Sequence, residues 1–159
     1  MTHLNTVFIP SPLLPAEGQP LSVAPCLPTV VVVSDNHSVG AAVDQIGEFL
    51  GVVVVVLGTE AELAPILRTF RPMAVVTDME GEDQDGCHVM MLVAYHDPDL
   101  PILLLTGDDP SLAGAADAVE ELWGLSAVTK APYLPGAGPL IEFLFHAGRR
   151  GECGRLIPA

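Results

Sequence analysis

The chain has 159 residues and half of them are hydrophobic, which is enough for one domain with a substantial core and some additional chain. Twenty acidic residues outnumber six basic ones, and the net charge is −14. This balance argues against a surface for nucleic acid or for an anionic membrane, because both require clustered lysine and arginine. It is compatible with divalent cations and with basic protein partners.

The cysteines and the apolar runs restrict the cellular setting. Cys26, Cys87 and Cys153 are odd in number and widely spaced, so they predict neither a disulfide framework nor a metal cluster. A reduced, cytoplasmic setting fits this pattern best. The N-terminus lacks a basic stretch followed by a long apolar core, so we expect no signal peptide. Apolar runs such as Val52 to Leu57 are too short to span a bilayer.

Residues 1–28 differ in composition from the rest of the chain. They contain six prolines and no helical periodicity. Because proline removes a backbone donor and fixes φ, neither a helix nor a central strand is expected there. We predict an extended N-terminal arm over 1–28, one folded domain over 29–147 and a C-terminal tail over 148–159.

Short apolar runs after the arm predict five β-strands. These runs cover residues 29–34, 52–57, 73–78, 101–106 and 127–130. Between the strands, apolar residues recur at helical spacing, as in Val39, Val43, Ile46 and Leu50. The chain therefore alternates strand and helix five times, with the last helix predicted at 140–147.

Local signals mark the ends of several helices. Gly51 is a C-terminal stop, and Thr59 and Glu62 have capping-box spacing. Asp109-Pro110 combines a capping residue with proline at the first helical position. Pro65 lies inside the second predicted helix, so we expect it to kink that helix or shorten its first turn.

The all-apolar strands determine the predicted fold class. Strands without polar alternation are buried on both faces, which indicates a parallel sheet with helices on each side. Right-handed crossovers leave few arrangements of five such units. We predict an α/β, flavodoxin-like (βα)5 doubly wound parallel sheet with strand order 2-1-3-4-5.

In that strand order, the carboxyl ends of strands 1, 3, 4 and 5 meet at one crevice. Strand 1 ends in Ser34-Asp35, strand 3 in Asp78, strand 4 in Thr106 and strand 5 in Lys130. Paired carboxylates in a crevice favour a hard divalent cation such as Mg²⁺. A carboxylate beside that metal can attack a phosphoryl donor, while a hydroxyl and an ammonium group stabilise the phosphoryl oxygens.

With these residues in place, the segment Thr29–Ala147 resembles the receiver domain of two-component response regulators. That family carries a phosphoacceptor aspartate after strand 3, which matches Asp78. It also carries Asp-Gly seven and eight residues later, matching Asp85 and Gly86. The family's Thr or Ser after strand 4 matches Thr106, and its Lys after strand 5 matches Lys130.

The resemblance implies a Mg²⁺-dependent transfer of a phosphoryl group to Asp78 from a histidine kinase or histidine phosphotransfer protein. It implies Mg²⁺ binding by Asp35, Asp78 and the main-chain carbonyl of Glu80. It also implies that Thr106 and Lys130 contact the phosphoryl group, and that the surface near helix 4, strand 5 and helix 5 then repacks.

The acidic pair of the family is incomplete in this chain. The family's first acid is Ser34 here, so only Asp35 remains. Losing one carboxylate near a divalent ion weakens binding by on the order of 1–3 kcal/mol after solvent screening. Glu80 and Asp83 are the candidates to compensate.

Three further departures concern the loops and the switch. The family's Met-Pro after the phosphoacceptor is replaced by Gly81-Glu82, which predicts a more mobile loop. The usual Lys-Pro is Lys130-Ala131-Pro132, so the family's cis bond does not follow, although Ala131-Pro132 leaves one open. The switch aromatic three residues before the lysine is Ala127, with Trp123 or Tyr133 as candidate replacements.

These observations favour a stand-alone receiver, not an enzyme, whose output is protein–protein contact or a phosphorelay. Direct nucleic-acid or membrane binding is not expected, and a homodimer is left open. The alternative is a degenerate receiver that acts as a docking or dimerisation module without phosphorylation. A flavodoxin-like enzyme or cofactor binder is less favoured, because no phosphate-binding glycine loop is present. His37, His88, His96 and His146 share no metal-ligand spacing.

Overall fold

In the computed structural model of the protein, residues 28–81 and 84–150 are described. Apart from Pro28, the predicted N-terminal arm lies outside the described residues, as do Glu82, Asp83 and residues 151–159. The strands are β1 Thr29–Val33, β2 Val53–Leu57, β3 Ala74–Asp78, β4 Glu80–Gly81, β5 Gln84–Asp85, β6 Ile102–Leu105 and β7 Val128–Ala131. The helices are α1 His37–Leu50, α2 Leu63–Phe70, α3 Gly86–His96, α4 Pro110–Trp123 and α5 Ala137–Arg150.

The five longer strands form one parallel sheet in the order β2-β1-β3-β6-β7. Counting only these strands, the order is 2-1-3-4-5, which confirms the predicted doubly wound fold. The two short strands β4 and β5 pair antiparallel and form a hairpin directly after β3. The hairpin therefore lies at the carboxyl end of the central strand.

The core has two halves, one on each face of the sheet. Val30 and Val32 of β1 pack with α1 and α5, whereas Val31 and Val33 pack with α2, α3 and α4. Successive residues of a strand point to opposite faces, so a run of valines fills both halves. This burial on both sides explains why the strand sequences contain almost no polar residue.

The boundaries of two helices, α2 and α5, differ from the sequence prediction. Thr59 caps a single 3₁₀ turn at Glu60–Glu62, and α2 starts only after that turn. Pro65 is then the third residue of α2, within the first turn, where its missing N–H leaves no helical bond unmade. Helix α5 begins three residues before the predicted start at 140 and ends three residues after the predicted end at 147, so it includes residues 148–150 of the predicted tail. Arg150 pairs with Asp97 at 3.3 Å.

The stop predicted at Gly51 is confirmed. Gly51 has φ of 76°, and its N–H donates to the carbonyl oxygen of Gly47. A residue without Cβ adopts this left-handed conformation at little cost, so the helix ends there. None of the helices in the described ranges is long and apolar enough to cross a membrane.

Candidate functional site

Asp78 is the last residue of β3, at the edge of the sheet where open parallel sheets bind ligands. Its side chain is partly buried, and one carboxylate oxygen accepts a short hydrogen bond from the Ser34 hydroxyl. The Ser34 oxygen in turn accepts a hydrogen bond from the main-chain N–H of Asn36 at 3.0 Å. The serine that replaces the family's first acid therefore binds Asp78 directly.

The surroundings of Asp78 raise its pKa above the ordinary aspartate value. Burial is the largest cause, the hydrogen bond from Ser34 acts in the opposite direction, and the negative charge of Asp35 adds to the rise. Asp35 and Asp78 line the same cavity, so the two predicted metal-binding residues lie near each other. Neighbouring carboxylates of this kind attract a cation.

An open cavity of about 540 Å³ brings together three of the residues predicted from the sequence. Asp35, Asp78 and Thr106 all line it. The other walls come from the start of α1, the end of β6 and the loop after it, the start of α4, and the loop after β7: Asn36, Ser38, Val39, Leu105, Gly107, Leu112, Pro132, Tyr133 and Leu134. The predicted convergence at one rim therefore holds for these three side chains.

Thr106 follows β6 and is almost fully buried at the wall of this cavity. Its hydroxyl donates to main-chain carbonyl oxygens, at 3.3 Å to Gly107 and 3.4 Å to Ala131. Both distances are long for a hydroxyl donor, so these are weak bonds. A modest rotation would let the hydroxyl serve another acceptor in the cavity.

Lys130 is not placed as the sequence predicted. Its ammonium group donates to Glu120 at 2.8 Å and pairs with Asp117 at 3.0 Å, both on α4. It does not line the cavity that contains Asp78. The expectation that Lys130 converges on Asp78 is therefore corrected: this lysine ties β7 to α4.

Strand alternation explains the position of Lys130. Val128 packs in the half of the core that contains α4, and Ala131 packs in the opposite half. Since neighbouring residues of a strand alternate, Lys130 projects to the same side as Val128, toward α4. Because an alanine separates the lysine from the proline in this chain, Ala131 takes the position directly before Pro132, where the receiver family has its lysine.

Glu80 lies two residues after Asp78, in the β4–β5 hairpin, and pairs with Asp85. Asp85 caps α3, because its Oδ1 accepts the N–H of Cys87 at 3.0 Å. Gly86 follows, and its N–H donates to the carbonyl oxygen of Met79 at 2.9 Å. A Cβ on Gly86 would lie 2.6 Å from the Cα of Met79, so the Asp85-Gly86 motif has a steric reason here.

Glu60 contributes to this region although sequence reasoning did not single it out. It accepts a hydrogen bond from the N–H of Asp85 at 3.2 Å and contacts Nδ1 of His88 at 3.2 Å. Its partners are 25 and 28 residues away along the chain. Only the capping-box spacing drew attention to this turn, and it pointed to Glu62 instead.

The donors near Asp78 suit a hard, hydrated cation. Within residues 28–81 and 84–150, no group of three or more His, Cys, Asp or Glu side chains is placed to hold a metal ion. The candidate donors are the carboxylates of Asp35 and Asp78, with the main chain of Glu80 nearby. Mg²⁺ typically takes one or two carboxylates and retains several waters, so this smaller set fits it.

The remaining departures can be placed in the structure. The described residues contain no cis peptide bond, so Ala131–Pro132 is trans. Tyr133 lines the cavity, and its hydroxyl donates a short hydrogen bond to Asp108, whereas Trp123 lies at the end of α4 and not at the cavity. Of the two candidate replacements for Ala127, Tyr133 is the one that lines the cavity containing Asp78.

Comparisons with known proteins find similarity in structure only. No protein-family model and no curated protein matches the sequence. The N-terminal signal receiver domain of a two-component response regulator from Bacteroides fragilis is 25% identical, with a TM-score of 0.59 over 76% of this chain and 96% of that one. A response regulator receiver domain protein from Clostridium thermocellum is 21% identical, with a TM-score of 0.63 over 78% and 96% of the two chains.

A third structure, the beryllofluoride-activated NtrC receiver domain in solution, is 18% identical, with a TM-score of 0.55. The match covers 76% of this chain and 93% of that domain. These similarities span nearly the whole length of the known domains. They confirm, at the level of fold, the resemblance predicted from the motifs: the described chain has the fold of receiver domains.

Proposed function

We propose that the chain accepts a phosphoryl group on Asp78 from the phosphohistidine of a histidine kinase or histidine phosphotransfer protein. It then signals through contact with another protein and not as an enzyme. The observation that carries this proposal is the shared cavity: Asp35, Asp78 and Thr106 line one open space at the carboxyl edge of the sheet. The strong excess of acid favours protein partners over nucleic acid.

In the proposed reaction a carboxylate oxygen of Asp78 attacks the phosphorus atom of the phosphohistidine. The phosphorus–nitrogen bond breaks, its electron pair leaves with the imidazole, and an aspartyl phosphate forms. Only the ionised carboxylate is nucleophilic. The hydrogen bond from Ser34 favours that ionised form against the effects of burial and of Asp35.

Asp35, Asp78 and the main-chain carbonyl of Glu80 are the residues proposed to hold Mg²⁺. When bound, Mg²⁺ supplies positive charge that neutralises the transferring phosphoryl oxygens. Thr106 is proposed to leave its weak bonds to Gly107 and Ala131 and donate to the phosphoryl group instead. Lys130 has no part in this proposal, because α4 holds its ammonium group.

Intact-mass spectrometry of the full chain tests the proposal. Incubation with Mg²⁺ and a small phosphodonor should add one phosphoryl group, and Asp78→Asn should abolish the addition. Asp99→Asn makes the same chemical change in the loop before β6, at the opposite edge of the sheet, and should label like the wild type. An unlabelled wild-type chain, or equal labelling of Asp78→Asn, contradicts the proposal.

A docking or dimerisation module without phosphorylation is the second candidate. Two observations favour it. The ammonium group of Lys130 is paired with Asp117 and Glu120 of α4, and Ser34 stands where the receiver family has its first acid. Such a module would show no label and no change in association state with beryllofluoride. The same mass experiment, extended by light scattering with and without beryllofluoride, separates the two candidates.

A further inference from the structure

We propose that Glu60 is a positioning residue that holds the β4–β5 hairpin and the start of α3 beside Asp78. By doing so it places the main chain of Glu80 for the cation. The role in cation binding rests on the proposed function, whereas the tie between Glu60 and the hairpin does not.

Both oxygens of Glu60 are engaged across the chain. Oε1 accepts the N–H of Asp85 and Oε2 contacts Nδ1 of His88, each at 3.2 Å. The Glu60 side chain is only 17% exposed, compared with 43% for His88. One side chain on the turn after β2 therefore contacts both the hairpin and the first turn of α3.

The carboxylate form of Glu60 is favoured where it lies. Burial acts to raise its pKa, but the hydrogen bonds with His88, with its own N–H and with Asp85 outweigh burial and lower the pKa. An ionised acceptor makes a stronger hydrogen bond to a backbone N–H than a neutral one does. This strengthens the tie to Asp85.

A short chain of contacts links Glu60 to the proposed cation site. Asp85 is held by Glu60 through its N–H and pairs with Glu80 across the hairpin. Gly86, the residue after Asp85, donates its N–H to the carbonyl oxygen of Met79, and Met79 directly follows Asp78. Glu80 therefore has a restrained residue on each side: Met79 precedes it and is bonded to Gly86, and Asp85 pairs with it and is bonded to Glu60.

This tie has a reason in the sequence. The sequence has Gly81-Glu82 where the receiver family has Met-Pro, so no proline restricts the backbone at that place. Glu60 supplies a restraint from a different loop. Glu62 lies two residues later in the same turn and its side chain is exposed, so its replacement is a control for that of Glu60.

Backbone-resolved NMR on the full chain tests the inference with Glu60→Ala and the control Glu62→Ala. Without metal, the Asp85 amide should exchange about tenfold faster in Glu60→Ala than in wild type or Glu62→Ala, because it loses an ionised acceptor. In a MgCl₂ titration, the Asp78–Gly86 amides of Glu60→Ala should need several times more Mg²⁺ to reach half of their shift. His88→Ala, which keeps the bond to Asp85, should have the smaller effect.

Equal exchange of the Asp85 amide in Glu60→Ala and wild type would overturn the tie. Faster exchange with an unchanged Mg²⁺ midpoint would overturn the positioning role. A wild-type chain whose amides do not respond to Mg²⁺ would count against metal binding in the proposed function, and with it against the role of Glu60 there. The metal-free exchange comparison separates these outcomes, and unchanged melting of the variants shows that they fold.

Discussion

The hydroxyl of Ser34 donates a hydrogen bond to the carboxylate of Asp78, joining the ends of two neighbouring strands. A second carboxylate at this position would repel Asp78, whereas a hydroxyl stabilises its charge. The loss of an acid thus has two opposite effects. It removes a ligand for the cation, and it adds a hydrogen bond that favours the ionised form of the nucleophile.

Replacement of Ser34 by alanine should raise the pKa of Asp78. The hydrogen bond that lowers this pKa disappears, and burial and Asp35 then act unopposed. As the pH is lowered, labelling by a small phosphodonor should consequently be lost at a higher pH in Ser34→Ala than in wild type. The pKa can be measured from the carboxyl ¹³C shift of Asp78. An unchanged or lower pKa would mean that the hydrogen bond does not form in solution.

Replacement of Ser34 by aspartate should restore a second acid beside Asp35. We expect Mg²⁺ to bind about tenfold more tightly, since one added carboxylate contributes roughly 1–2 kcal/mol after screening. Isothermal titration with MgCl₂ measures this directly. Ser34→Asn, similar in size but uncharged, is the control and should not gain affinity. Equal binding by both variants would place the cation away from this position.

The sequence predicted the fold well because the information is local and redundant. Four strands of the main sheet, β1, β2, β3 and β6, are largely apolar runs, which predicts burial on both faces of the sheet. The same reasoning located Asp78 and Thr106, whose places depend only on where β3 and β6 end. A residue at the carboxyl end of such a strand lies at the edge of the parallel sheet where ligands bind.

The side on which Lys130 projects could not be predicted as safely. It depends on a one-residue difference, the insertion of Ala131 before Pro132, and a shift by one residue moves a strand side chain to the opposite face. Glu60 was missed for another reason. Its contacts to Asp85 and His88 join segments far apart in the chain, and no local spacing reveals them.

The variant Asp78→Asn should be more stable than wild type at neutral pH. The pKa of Asp78 is raised in the folded protein above its ordinary value of 3.8. Stability from this group is therefore complete below the ordinary pKa and is lost as pH rises through the folded pKa. Asparagine cannot ionise, so it avoids this loss while still accepting the hydrogen bond from Ser34.

Melting curves of Asp78→Asn and wild type without Mg²⁺, from about pH 3 to about pH 8, measure this difference. The two melting temperatures should coincide at the acid end and separate as the pH rises, with the variant melting higher than wild type at neutral pH. A wild type that melts higher at neutral pH would show that the ionised carboxylate stabilises the fold. That result would contradict the raised pKa.

Lys130 should matter for α4 and not for the chemistry at Asp78. Its side chain and that of Glu120 are about a quarter exposed, at 27% and 28%, so their ion pair is partly screened. A double-mutant cycle of Lys130→Met and Glu120→Gln in urea unfolding should give a coupling of about 0.5–1 kcal/mol. Phosphoryl labelling of Asp78 should persist in Lys130→Met. Loss of labelling with an intact fold would show that this lysine acts at Asp78 after all.

Two glycine-to-alanine changes should affect stability in opposite directions. A Cβ on Gly86 would lie 2.6 Å from the Cα of Met79 and 2.8 Å from the carbonyl oxygen of Asp78, so α3 or β3 must shift. We expect Gly86→Ala to destabilise the fold by about 1–3 kcal/mol, as overpacking does. Gly114 lies on the exposed face of α4 with nothing within 4 Å of an added Cβ. Gly114→Ala should stabilise by roughly 0.5–1 kcal/mol, because alanine restricts the unfolded chain and favours the helix.

Urea unfolding of both glycine variants measures these effects under identical conditions. The comparison is informative because the chemical change is the same methyl group in both. Gly86→Ala should also weaken phosphoryl labelling, since the shift falls on the backbone next to Asp78, whereas Gly114→Ala should label normally. A Gly86→Ala protein as stable as wild type would mean that α3 does not approach Met79 as closely as the structure shows. The steric account of the Asp85-Gly86 motif would then be wrong.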